Sequence, residues 1–335
     1  MGVNLGSLIK GKEISLDALR GKIIGIDAFN HVYQYLTTIR DWKTGELLKD
    51  SSGNVTSHLS GLFYRTSKLL QTGIKVCYVW DGLPPKFKKQ TQENRSKIKE
   101  EARKKYTDAL KKGDVEKIKI YAQQTAALSE SMIKEAVELL ETMGIPSIKA
   151  PSEGEAQLAY MTKKKIIWAP SSQDYDTILF GSPRLVRNIT ISGKKKLPYG
   201  GGYTFVYPEI LELDAILKET KLTIEQLILI AMFCGTDYNP GIKGIGPKKA
   251  YDIVTTKSQK EILDEYEFDE KIFNWFLKPD VKDVTLKFTD LDEEKIHKIL
   301  VDKHEFSADR VNKSLKDIKI SKEKGSQSDL SNFFK

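Results

Sequence analysis

Cysteine is scarce in this chain of 335 residues: only Cys77 and Cys234 occur, each inside an apolar stretch. Two thiols so placed read as buried and unpaired, which excludes a disulfide framework and points to a reducing, intracellular setting. Histidine is nearly as rare. His31, His58, His297 and His304 lack metal-ligand spacing, so a zinc site is not expected. Long apolar runs are missing as well. The longest, residues 227–234, reads as one side of a helix and falls far short of the roughly 20 residues a membrane span needs. The opening MGVNLGSLIK has no basic region and no hydrophobic stretch, so no signal peptide is read; Gly6 stands where a myristoylation signal wants Ser or Thr.

What the chain does have is charge. Apolar residues make up 40% and charged residues 30%, and the net charge is +8. That balance fits a globular protein of one large or two coupled domains with a polyanionic partner, without choosing between nucleic acid and an acidic membrane. The distribution says more. Residues 82–120 hold 13 Lys or Arg against 6 Asp or Glu, a net of +7. This stretch has little apolar periodicity up to about Ala109, so it is expected to project from the core. Helical spacing resumes over 126–143, where Leu128, Met132, Ala136, Leu139, Leu140 and Met143 recur every three or four residues.

Several short apolar runs end in acid. KIIGI (22–26) ends at Asp27, KVCYVW (75–80) at Asp81, and KIIWA (165–169) turns into Asp174 and Asp176. Such runs, alternating with helical stretches, predict buried parallel strands of an α/β sheet. Open α/β sheets place their ligands beyond the carboxyl ends of the strands. Asp27, Asp81, Glu153, Glu155, Asp174, Asp176 and Asp237 are therefore candidates for one acidic cluster. Hard divalent cations prefer such oxygens, and two of them a few ångströms apart suit phosphodiester hydrolysis. Taken singly, each residue has a structural alternative. Ser152 and Glu155 fit a capping box, Asp174 and Asp176 fit a turn, Asp27 a strand end, and Asp237 the close of a helix. Independent caps, however, have no reason to gather at strand ends.

The motifs carrying these residues resemble the flap endonuclease family. They are Gly25-Ile26-Asp27-Ala28, Trp80-Asp81-Gly82-Leu83-Pro84-Pro85 and Ala150-Pro151-Ser152-Glu153-Gly154-Glu155-Ala156, followed by Gln173-Asp174-Tyr175-Asp176, Gly235-Thr236-Asp237-Tyr238 and Gly244-Ile245-Gly246-Pro247-Lys248. Their order and spacing run through nearly the whole chain. The resemblance implies an α/β fold with a central, mostly parallel sheet and helices on both faces. It divides the chain into a 5′-nuclease core over 1–255, a C-terminal helical region over 256–317, and a flexible tail over 318–335. A basic helical arch at about 82–125 and a helix–hairpin–helix element at about 237–255 are inserted in the core. It implies that the seven acids hold two Mg²⁺, with Mn²⁺ as a substitute. Lys88 and Arg95, at the base of the arch, would contact the scissile phosphate, and Asp176 is counted with the catalytic residues. DNA contacts would fall to Tyr33, Arg40, Arg65, Gly244, Gly246, Lys248 and Lys249, with Tyr33 stacking on the base beside the cut. Gly241, Ile242 and Ile245 would hold K⁺ at the hairpin, and Gly2 would lie near the active site.

At the C-terminus Gln327, Leu330, Phe333 and Phe334 match a sliding-clamp-binding box, an apolar plug for a groove. The expected activity is removal of 5′ flaps from branched DNA, with 5′–3′ exonuclease activity, in replication and repair, by a chain that is monomeric when free and does not bind membranes. The chain stops one residue after the box, as in archaeal rather than eukaryotic members, so a cytoplasmic, nucleoid-associated place is expected. Holliday-junction resolvases and excision-repair endonucleases are the nearest rivals; the short insert after Asp81 and the tail argue against both. An inert DNA- and clamp-binding scaffold need not keep all seven acids. A small-molecule phosphohydrolase would have no use for the hairpin. The loop at 193–202 receives no role.

Overall fold

Alternation within the apolar runs decides how the sheet is covered. Ile24, Ile26, Val76, Tyr78 and Trp80 belong to one core cluster, while Cys77 and Val79, one residue out of phase, pack with Leu158, Met161 and Ile167 in another. Successive strand side chains point to opposite faces, so both faces are buried and helices lie on each. The computed structural model describes all residues except 1, 2, 4, 42, 43, 113–116, 118, 119, 122–124, 126, 197–201, 334 and 335, and all their side chains except those of 89, 90, 92, 94, 95, 110, 194–196 and 324–333.

The strands of the main sheet are β1 (Lys12–Glu13), β2 (Ile23–Asp27), β3 (Lys75–Trp80), β4 (Ser147–Lys149), β5 (Ala169–Ser171) and β6 (Arg184–Arg187). After a separate antiparallel ribbon of β7 (Gly193–Lys196) and β8 (Tyr203–Val206) comes the last, β9 (Glu209–Glu212). The sheet order is β1-β9-β6-β5-β2-β3-β4. The five strands from β6 to β4 run parallel, and β9 and β1 close one edge antiparallel. The helices are α1 (Ala28–Thr38), α2 (Ser57–Gln71), α3 (Lys89–Lys112), α4 (Glu130–Thr142), α5 (Gly154–Lys163), α6 (Asp176–Leu179) and α7 (Leu213–Thr220). They continue as α8 (Ile224–Cys234), α9 (Pro247–Thr256), α10 (Gln259–Glu265), α11 (Glu270–Leu277), α12 (Glu293–His297) and α13 (Ala308–Phe333).

Four expectations need correction or refinement. The strand read at KIIWA begins four residues later: Ala169–Ser171 pairs with β2, while Lys165 turns with φ 59°. Helix α8 is not one-sided. Leu227 to Phe233 are all buried, and the helix forms the centre of a core against α9 and α11. An all-round apolar helix belongs inside a protein, and its period carries no facing signal. The arch helix α3 adds no residue to the core clusters, as expected, but it is not bare. Ala102 and Ala109 are covered, and Lys99 lies 5.0 Å above the Tyr33 ring of α1. At the far end, α13 runs through residue 318 without a break, with Ile318 buried and the Ser321 hydroxyl donating to the Gln71 carbonyl at 2.6 Å. Among the described residues no helix is long and apolar enough to cross a membrane.

Candidate active site

Parallel strands deliver their last residues to one edge, and the acids collect there. Asp27 ends β2 and caps α1, its carboxylate accepting from Asn30 N at 3.0 Å. The Asn30 side-chain amide donates to Asp174 at 3.0 Å, so one residue, by its backbone and its side chain, ties two acids that are 147 positions apart in the sequence. Ser172 does the same from β5: its hydroxyl lies 3.2 Å from Glu155 and 3.4 Å from Asp27. One hydroxyl proton serves one acceptor at a time, so the other oxygen is left short. Asp81 accepts from Gly154 N at 2.7 Å. A Cβ at Gly154 would stand 2.9 Å from that oxygen, so this approach needs glycine. Asp176 opens α6 and accepts from Val3 N at 3.2 Å, which brings the N-terminal segment to the cluster; Gly2 itself lies outside the described residues.

Ser152 and Glu155 do not form a capping box. Glu153 is the N-cap of α5 and makes no side-chain cap bond, while the Ser152 hydroxyl donates to the Leu83 carbonyl at 2.8 Å. Glu155 is thereby freed to face the other acids. Burial first, then Asp176, Asp27, Asp174 and Asp237, holds its carboxyl well above the usual range. Burial, Asp81 and Asp174 push Asp27 from 3.8 up to about 8. Burial, Asp174 and Asp237 push Asp176 up to about 7. Burial also raises Glu153, partly offset by Lys88. All seven acids thus act on one another at close range. Among the described residues, no three His, Cys, Asp or Glu side chains close around a single metal position. Crowded carboxylates take up the donors at hand, and here these include Asn30, Ser172, Gly154, Val3 and Lys88.

Among the described side chains, Lys88 brings a cation into the cluster. Its ammonium lies 2.5 Å from Glu153 and 3.7 Å from Asp237, and 5.8 Å above the Tyr238 ring. Burial opposes its charge, but Glu153, Asp81 and Asp237 outweigh that and raise its pKa. The side chain of Arg95 lies outside the described residues, as do Gln327, Leu330, Phe333 and Phe334 of the tail. Arg40 donates to the Gly45 carbonyl at 3.1 Å, and burial lowers its pKa. Arg65, on α2, is half-buried.

The hairpin is compact. Asn239 bonds Thr236 at 2.7 Å and the Met232 carbonyl at 2.7 Å, and Ile242 N donates to the Phe233 carbonyl at 2.8 Å. Gly241 has φ 75°, and a Cβ there would stand 2.5 Å from Gly235 N, so only glycine closes the turn. Gly246 caps α9, with Pro247 in its first turn. The N-terminus of that helix, with exposed Lys248 and Lys249, faces solvent and suits a phosphate. The Lys249 ammonium donates to the Gly244 carbonyl at 3.2 Å, beside the turn formed by Gly241, Ile242 and Ile245.

Sequence reasoning missed Asn30 and Ser172, the two neutral bridges between acids. It also missed Phe87 and Trp275, whose rings flank Tyr238. Asn30 had a signal, being three residues after a strand-end Asp where a cap contact falls.

Comparison with known proteins gives one answer. Residues 1–102 match the XPG N-terminal domain and residues 144–237 the XPG I-region. Flap endonuclease 1 of Pyrococcus furiosus is 51% identical over 344 residues, covering 100% of each chain. Flap endonuclease 1 of Thermococcus onnurineus is 50% identical, covering 100% of this chain and 99% of its own. The solved flap endonuclease-1 from Methanococcus jannaschii superposes with a TM-score of 0.76 at 41% identity, over 95% of this chain and 98% of its own. The catalytic core of Rad2 in complex with DNA substrate shares the fold, with a TM-score of 0.70 at 22% identity over 95% of this chain and all of that one.

Proposed function

The chain belongs to the flap endonuclease family, and from that premise we propose that its seven-acid pocket binds two divalent cations and hydrolyses a phosphodiester where a 5′ flap leaves duplex DNA. The protein is a structure-specific flap endonuclease of a metal-dependent, DNA-binding nuclease family. The observation that carries the mechanistic reading is the crowding of carboxyls in the pocket: seven acids meet, and burial together with their neighbours' charges raises Asp27, Glu155 and Asp176. Buried oxygens held above their ordinary pKa, by burial and by each other, are an unmet demand for positive charge, and an all-oxygen donor set fits Mg²⁺. Bound there, two divalent cations supply a water of lowered pKa and neutralise charge on the leaving oxygen.

The protein's own groups do the rest. Asn30 and Ser172 hold Asp27, Asp174 and Glu155 in one orientation. Val3 N fixes Asp176. Lys88 lies on Glu153 at the mouth of the arch; once Glu153 is otherwise engaged, its ammonium is free to meet the scissile phosphate, with Arg95 on the same helix approach. Tyr33 offers a ring face to the flanking base. The exposed α9 N-terminus, with Gly244, Gly246, Lys248 and Lys249, takes a duplex phosphate without reading sequence, and the Gly241, Ile242 and Ile245 turn suits K⁺. Arg40 and Arg65 add phosphate contacts to the remaining strand. We further read residues 327–334 as a plug for a sliding clamp, the free protein as a monomer, and Okazaki fragment maturation and repair as its work.

The test compares wild type with Asp176→Ala on a labelled 5′-flap duplex, in Mg²⁺ and in EDTA. Cleavage at the junction by wild type in Mg²⁺ alone is expected. Cutting that survives EDTA, or that the variant retains in full, would refute the mechanism.

A further inference from the structure

We infer that Phe87 is a positioning residue for the catalytic cation, setting the reach of the Lys88 ammonium through an aromatic cluster built with Tyr238 and Trp275. The inference rests on the reading of Lys88 as the group that meets the scissile phosphate.

A lysine stem is flexible, so its ammonium is only as well placed as the backbone that carries it. That backbone is a single turn of 3-10 helix, Lys86–Lys88, closed by Lys88 N on the Pro85 carbonyl at 2.9 Å. The two side chains of the turn diverge. Lys88 goes to Glu153 and Asp237. Phe87 goes into rings: edge-to-face on Tyr238 at 5.5 Å and 86°, and on Trp275 at 5.8 Å and 71°. Tyr238 therefore meets both residues, Phe87 at its edge and the Lys88 ammonium 5.8 Å over its face, and it directly follows Asp237. Phe276 extends the cluster, 5.4 Å from Tyr238 and 5.0 Å from Phe180, which closes the segment that Asp176 opens. The rings thus join the segments that bear Lys88, Asp237 and Asp176.

The far side of Phe87 is not packed. A cleft of about 570 Å³, lined there by Lys86, Phe87, Tyr238, Gly241 and Ile242, separates the turn from the hairpin. The grip on Phe87 is therefore one-sided, held by Tyr238 and Trp275. Truncating the ring would extend the cleft to the Lys88 turn and admit water. The ring thus lines the cleft on the hairpin side of the turn, while the Lys88 ammonium leaves the turn toward Glu153 and Asp237.

The test is a double-mutant cycle read by single-turnover cleavage of a 5′-flap duplex in saturating Mg²⁺, with Kd for the same duplex measured in Ca²⁺. Phe87→Ala is expected to slow cleavage about 30-fold, the scale of a misplaced catalytic group, with Kd changed less than about twofold. Phe87→Tyr, which keeps the ring, should stay within about threefold of wild type, with Phe87→Leu between the two. In a Lys88→Met background Phe87→Ala should cost less than about threefold, because the group it positions is gone. In protein labelled with 5-fluorotryptophan, the ¹⁹F resonance of Trp275, assigned through Trp275→Phe, should move in Phe87→Ala. Should Phe87→Ala fold poorly, Phe87→Leu carries the same cycle. Losses that multiply in the double variant, or a Phe87→Ala rate within about twofold of wild type, overturn the inference while leaving Lys88 in place. A Lys88→Met enzyme that cuts at the wild-type rate removes the reading of Lys88 and this inference with it.

Discussion

Two buried polar clusters in this protein follow opposite charge rules. In the acid pocket, like charges crowd together and carboxyls are raised, Asp27 to about 8 and Asp176 to about 7. Under the C-terminal helices, acids and bases alternate. His304 lies 2.9 Å from Asp50 and 3.4 Å from Glu135, and Lys303 lies 2.6 Å from Glu135. There the acids are lowered. The Asn54 amide, with His304, holds Asp50 at about 2, and for Glu135 burial is outweighed by Lys303. Burial pushes His58 down to about 4, so it stays neutral. The second cluster pairs opposite charges across 254 positions and acts as a structural tie, with His304 Nε2 and both His58 ring nitrogens buried without a hydrogen-bond partner among the described residues. The first gathers one sign of charge, and burial with its neighbours' charges raises its acids where those of the second are lowered. Burial and polarity are common to both, so neither distinguishes the candidate active site; the crowding of one sign does.

The contrast predicts that the same kind of substitution has opposite effects in the two places. The largest expected effect is on turnover. Asp176→Asn should lower flap cleavage by roughly 10³-fold, the scale of losing one key electrostatic group. In EDTA the same variant should melt higher than wild type, because one of the crowded charges is gone while an acceptor remains for Val3 N. Calorimetry in EDTA and in Mg²⁺ reads this directly, and a lower melting temperature in EDTA would show that the acids do not strain the apo fold. His304→Ala should do the reverse. Removing a buried partner shared by Asp50 and Glu135 is expected to cost roughly 3 kcal/mol, with or without Mg²⁺. Equal stability of that variant and wild type would end the reading of the second cluster as a tie.

The first cluster was legible in the sequence and the second was not. Asp27 and Asp81 close apolar runs, and Asp174 and Asp176 form a D-x-D, so strand ends and local spacing sufficed. Asp50 and His304 are 254 positions apart, in segments without periodicity, and no local rule pairs them. Phe87 and Trp275 escaped for the same reason. Where local rules misled, tertiary contacts had overridden them. Ser152 gave its hydroxyl to Leu83 instead of capping α5, and α8 was enclosed on every side. A helix sealed all round shows no polar face from which its neighbours could be read.

The smallest effect is the most selective, because the two clusters titrate in opposite directions. Asp27 and Asp176 ionise near 3.8 in an unfolded chain and near 8 and 7 in the folded one. Between those values the folded protein keeps protons that the unfolded chain has released, so stability falls as pH rises. His31 and His58 behave oppositely: burial moves both from 6.5 to about 4, the unfolded chain takes the extra protons, and stability rises with pH across that range. The two trends oppose each other below pH 6.5. Above it only the acid pocket titrates. In EDTA, raising the pH from about 6.5 to 8 should therefore remove roughly 2 kcal/mol and lower the melting temperature by a few degrees. Saturating Mg²⁺ should reverse the slope, since protons then compete with the cation for the same oxygens. In His58→Gln the upper window should be unchanged, and the acid-side loss should shrink. A melting temperature in EDTA that climbs between pH 6.5 and 8 would mean that the protein already neutralises its own acids, and the two clusters would then be of one kind.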